Sequence, residues 1–122
     1  EIKVVLEGVN KVYNGYDKVC VFQPHRISRL KDLRKEFSYA FRDADTVILC
    51  PIYTAGEKIK LEFSYLKFAK EIIKNSKVKL FLVDDNNQLA KFIKKNMYGK
   101  KIVIGMGAGS ISNWMRKLPK LM

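Results

Sequence analysis

The sequence predicts an open α/β domain, a three-layer, mainly parallel sheet with helices on both faces. Three observations predict it. Strand-like and helix-like segments alternate along the chain. The strand-like runs KVCVFQ, TVILC, VKLFLV and KIVIGM are short and apolar at consecutive positions, as strands covered on both faces are. The segments between them are amphipathic at helical spacing, so the strands are joined by helical crossovers, which are right-handed.

Each element follows from its own residues. Ile2, Val5, Leu6, Val9 and Val12 share one helical face. The chain opens on Glu1 with this helix already under way, so the expectation is a fragment of a longer protein. NGYD at positions 14–17 is a turn. KVCVFQ is the first strand, stopped by Pro24, which brings no N–H to a ladder. Ser28 is a candidate N-cap for the second helix, whose apolar stripe is Leu30, Leu33, Phe37, Ala40 and Phe41. The second strand runs from Thr46 to Cys50 and ends at Pro51. After the loop PIYTAGEKIK, the residues Leu66, Ala69, Ile72 and Ile73 mark a third helix, closed by KNSK. VKLFLVDD is the third strand, and Leu89, Phe92, Ile93 and Met97 mark the fourth helix. KIVIGM is the fourth strand. A tight turn at Gly107 and Gly109 leads to a last helix marked by Ile111, Trp114, Met115 and Leu118, which Pro119 is expected to end. With no repeat, low-complexity segment or internal linker, residues 1–122 read as one domain.

The totals narrow the function classes. At 122 residues and 48% hydrophobic, the chain can bury one real core. It has no apolar run near 18 residues and no signal-peptide pattern, so a soluble protein is expected. Cys20 and Cys50 sit in apolar runs without ligand spacing and read as inert core thiols. The formal charge of +12 fits either a solvated lysine coat or a polyanion partner such as nucleic acid. No recognised nucleic-acid signature accompanies it, and the aromatics fall at core spacing rather than beside the lysines. An anionic small substrate stays open.

In open parallel sheets ligands bind at the carboxyl ends of the strands. Four segments lie there: QPHRISR, PIYTAGE, VDDNN and GMGAGS. Arg26 and Arg29, three apart at a helix start, can converge on one face. Two cations oppose the macrodipole there, and an anionic ligand would reverse that sign, so a carboxylate or phosphate site fits. A solvated arginine pair, or one paired to Asp32, fits equally. His25, the only histidine, is either structural or a donor beside the arginines. Tyr53, Gly56 and Glu57 form either a site loop or a loop with a charged tip. Asp84 and Asp85 read as a turn and cap ahead of a metal or ribose site. GMGAGS is no dinucleotide fingerprint, because Gly109 comes one position early, and no P-loop lysine motif exists in the chain.

VFQPHRISRLKDL, ADTVILCPIYTAGE and IGMGAGSIS, in this order and spacing, resemble the C-terminal domain of the UDP-N-acetylmuramate–L-alanine ligases, a branch of the Mur ligase family. The resemblance covers essentially the whole chain. It implies a Rossmann-like amino-acid-binding domain that closes over a site shared with two further domains, absent from this sequence. One holds the UDP-sugar; the central one carries the P-loop and binds ATP and Mg2+. It implies that ATP phosphorylates the lactyl carboxylate of UDP-N-acetylmuramate. The amine of L-alanine then attacks the acyl phosphate, and the tetrahedral intermediate loses phosphate to leave the amide of peptidoglycan synthesis.

By the same resemblance Arg26 and Arg29 hold the alanine carboxylate and His25 donates or orients beside them. Tyr53, Gly56 and Glu57 match a site loop, and Gly107, Ala108 and Gly109 match a glycine turn. Thr54 stands where alanine is commoner. Ser110 stands where aspartate often follows the glycine turn, which puts a polar role there in doubt. The implied setting is the bacterial cytoplasm, with no nucleic acid or membrane partner. The fragment alone is expected to be inactive, with no catalytic group and no metal ligand of its own. The competing expectations are a stand-alone small-anion-binding α/β module and a basic nucleic-acid-binding domain.

Overall fold

Why the four apolar runs form one sheet is visible in their register. A computed structural model of the chain describes residues 2–26, 30, 32–53, 64–96, 99–107 and 109–122. The elements, in chain order, are α1 (Ile2–Val12), β1 (Asp17–Gln23), α2 (Arg34–Tyr39), β2 (Thr46–Leu49), α3 (Tyr65–Ser76), β3 (Lys79–Leu82), α4 (Asn86–Asn96), β4 (Lys101–Gly107) and α5 (Ile111–Leu121). The strands order as β3-β2-β1-β4, and every pairing is parallel. The expected three-layer α/β architecture holds.

The chain steps from β1 outward to β2 and β3, then crosses back to place β4 on the other side of β1. Right-handed crossovers in opposite directions put their helices on opposite faces, and the two cores divide that way. On one face Ile2 and Leu6 of α1, Phe41, and Phe68, Ala69 and Ile72 of α3 pack on Cys20, Phe22, Val47 and Leu49. On the other, Leu89, Ala90 and Ile93 of α4 and Ile111 and Leu118 of α5 pack on Val19, Val21 and Ile48. Alternate β1 residues therefore serve both cores, which is why the strand is apolar at consecutive positions.

Several helical stripes shift from their expected positions. In α1 only Ile2 and Leu6 are buried, while Val5 and Val12 are exposed. In α3 the buried face is Phe68, Ala69, Ile72 and Ser76, and Leu66 and Ile73 face outward. The second helix is shorter than its apolar stripe. It ends at Tyr39, and Phe41 fills the core from the turn that follows. The expected cap Ser28 and the expected core residue Met97 lie outside the described residues. Cys50 lies just past β2, buried, its amide still donating to the Phe22 carbonyl. Pro119 does not end α5, which continues to Leu121. A proline in the last turn forfeits only one backbone bond, so it can be carried there.

Small polar groups fasten α2 to α3. Ser76 Oγ donates to the Ser38 carbonyl (2.6 Å) and accepts from the Phe41 amide (3.2 Å), while Asn75 Nδ2 donates to Ser38 Oγ (2.8 Å). Both serines are buried, and these bonds satisfy them. Asp85 Oδ1 accepts from the Gln88 amide (2.8 Å) at the start of α4, as expected of a cap.

Candidate functional site at the carboxyl edge of the sheet

The strand order reverses between β1 and β4, so the crevice of an open α/β sheet opens at their carboxyl ends. A groove of about 720 Å³ lies there, walled by Phe22–His25, Ile104–Gly107, the start of α1 and the inner face of α2. Two of the four segments expected at this edge, QPHRISR and GMGAGS, contribute to its wall, and Tyr53 of a third is bonded to the first.

The loop after β1 and the loop after β2 are zipped together by backbone bonds. The Tyr53 amide donates to the Pro24 carbonyl (2.8 Å), and the Arg26 amide donates to the Tyr53 carbonyl (2.7 Å). His25 and Tyr53 thus form a parallel bridge beyond the sheet, with rings stacked at 5.6 Å and 13°. Arg26 takes a left-handed conformation at φ 64, uncommon for a residue with a Cβ. Its carbonyl accepts from the Leu30 amide (3.2 Å). Its side chain is exposed and forms no ion pair among the described residues; in particular, none joins it to Asp32.

The glycine turn closes over the same place. Gly107 has φ 130, and a Cβ there would run into the carbonyl of Gln23, its register partner in β1. Gly109 has φ 91, and a Cβ there would run into the Tyr53 ring. Only glycine meets both demands. Of the candidates, His25, Arg26, Tyr53, Gly107 and Gly109 are brought together, while Arg29, Gly56, Glu57 and Ala108 lie outside the described residues.

Two contributors were not legible as such. Gln23, the last residue of β1, is only 3% exposed. Its Nε2 donates to Ser110 Oγ (2.9 Å) and to the Pro51 carbonyl (3.2 Å), and the Ser110 hydroxyl donates back to Oε1 (3.2 Å). Ser110, whose polar role was in doubt, is therefore a hydrogen-bonding partner. The available signal was a lone amide closing a wholly apolar strand. The second is Tyr65, whose hydroxyl donates to the Cys50 carbonyl (2.5 Å) and fixes the exit of β2. Burial, then the neighbouring Cys50, pushes its phenol upward. Burial likewise pushes the thiols of Cys20 and Cys50 up to about 12, so both stay protonated and inert.

Among the described residues no group of three His, Cys, Asp or Glu side chains could hold a metal ion. No helix among the described residues is long and apolar enough to cross a membrane.

No family model matches the chain. It is 68% identical over 121 residues, 99% of its length, to the UDP-N-acetylmuramate–L-alanine ligase of Pelagibacter ubique (strain HTCC1062), covering 26% of that protein. It is 35% identical over 120 residues, 98% of its length, to the ligase of the same name from Bartonella bacilliformis, covering 25% of it. Over nearly its whole length the chain is similar to these ligases. It spans about a quarter of the length of the Mur ligases it matches.

Solved Mur ligase structures share the fold. A murein peptide ligase from Psychrobacter arcticus 273-4 superposes with a TM-score of 0.72 at 13% identity, over 98% of this chain and 24% of that one. A domain from Haemophilus ducreyi 35000HP, 16% identical, gives 0.65 over 99% of this chain and 81% of that one. The site just described therefore sits at the carboxyl edge of an α/β domain with the fold seen in these structures.

Proposed function

We propose that this chain is the C-terminal, amino-acid-binding domain of an ATP-dependent UDP-N-acetylmuramate–L-alanine ligase. The observation that carries the proposal is Arg26, an exposed guanidinium with no ion pair among the described residues, at the topological switch point, its main chain held by the bond from its amide to the Tyr53 carbonyl. A guanidinium so placed is available to the carboxylate of an amino acid, in a bidentate pair that also fixes orientation. Arg29, three residues on, is the proposed second cation, and His25, stacked on Tyr53, is the proposed donor beside them.

In this reading the domain makes and breaks no bond. It holds the amino acid so that its amine, rather than water, reaches the acyl phosphate formed on the sugar carboxylate, a positioning effect. Closure against the rest of the enzyme excludes water. ATP and Mg2+ would be held by the central domain, since this chain has no P-loop lysine motif. The setting is the bacterial cytoplasm, and the chain by itself is inactive.

Exchange of this segment for the matching segment of the Pelagibacter ubique ligase tests the assignment. The hybrid should retain alanine-dependent phosphate release from ATP and UDP-N-acetylmuramate. A folded hybrid without that activity would count against it. Binding of this chain to RNA or DNA that falls steeply with salt would instead favour the basic nucleic-acid reading.

A further inference from the structure

We infer that Gln23 is a positioning residue for amino-acid binding, acting through Pro51, Tyr53 and Ser110 rather than by touching the substrate. The inference rests on the ligase reading above. An amide buried at 3% exposure at the end of an apolar strand is costly unless its bonds are made. Here all of them reach other loops. Nε2 holds the Pro51 carbonyl, two residues before Tyr53, and Tyr53 in turn bonds Pro24 and Arg26 through its backbone. The Gln23 carbonyl is what Gly107 packs against. One residue thus touches all three loops that make the site.

Ser110 supplies an independent sign. It stands at the N-cap of α5, where a serine ordinarily accepts from its own helix, yet its side chain caps nothing. Its hydroxyl is committed to both atoms of the Gln23 amide instead. The pair spans 87 positions of sequence and ties the glycine turn, with Gly109 under the Tyr53 ring, to the end of β1. Loss of the Gln23 amide lets Pro51 and Tyr53 drift, and Arg26 with them. The amino acid loses its orientation, while a nucleotide bound elsewhere is unaffected.

The test is steady-state kinetics of the full-length ligase carrying this segment, with Gln23→Leu, Gln23→Glu, Ser110→Ala and the Gln23→Leu/Ser110→Ala pair. Gln23→Leu should raise KM for alanine by about 10-fold or more, with KM for ATP within about twofold of wild type. Gln23→Glu, which can accept from Ser110 but cannot donate to the Pro51 carbonyl, should behave like Gln23→Leu. Ser110→Ala should give a smaller rise in the same constant, and the pair should be no worse than Gln23→Leu alone. Unchanged kinetics, or equal shifts for both substrates, would make Gln23 a structural residue only and overturn the inference. If Gln23→Leu fails to fold, Ser110→Ala decides: an unaltered KM for alanine overturns it. Wild-type turnover in the same assay reports on the ligase reading separately.

Discussion

Gly109 is the residue on which the site leans most. Its backbone has φ 91, and its missing Cβ leaves room for the Tyr53 ring. Gly109→Ala should strain the backbone and displace Tyr53, at about 1–3 kcal/mol of stability, and under the proposed ligase function it should bring a matching loss of alanine affinity. Thermal melts beside alanine KM would read both effects; unchanged values would remove Tyr53 from the account.

The two thiols make a second prediction. Burial raises both from 9.0 to about 12 in the folded chain. Their contribution is therefore complete below the unfolded value and is lost as pH rises from about 9 towards 12, since the unfolded state binds fewer protons there. Denaturant titrations at pH 7 and pH 10.5 should show a larger fall for wild type than for Cys20→Val/Cys50→Val, and a parallel fall would contradict the burial argument. Individual residues were legible where chemistry is loud, as with His25 beside Arg26. Gln23 was not, because its partners at Pro51 and Ser110 are 28 and 87 positions away.

Elements were legible in number and type, because each strand and helix carries its own period. Their phases were less so. In α3 Leu66 and Ile73 satisfy helical spacing, yet Phe68, Ala69 and Ile72 face the sheet. Hydrophobicity alone cannot choose between two overlapping stripes when the helix is apolar on more than one side. The seam between α2 and α3 was hidden for another reason: KNSK reads as a helix end, which it is, but Ser76 there is also a buried latch onto Ser38 and Phe41. Ser76→Ala leaves the Phe41 amide and the Ser38 carbonyl unpaired, and should cost about 1–3 kcal/mol. Denaturant midpoints would measure this, and a loss below about 0.5 kcal/mol would mean that water or relaxation replaces both bonds.

For the molecule as a whole, the alternation of elements predicts a parallel sheet but not the order of its strands. That order decides where the crevice opens, because the reversal between β1 and β4 puts it beside His25. The resemblance carried by VFQPHRISRLKDL puts the proposed site in the loop after β1, at this edge of the sheet. The central claim is that this edge of the sheet holds the amino-acid carboxylate. It is tested most directly by Arg26→Ala in the full-length ligase, with KM measured for alanine and for ATP. The account predicts a rise of about 10- to 100-fold for alanine and little change for ATP. Equal rises for the two substrates, or none for alanine, would contradict it.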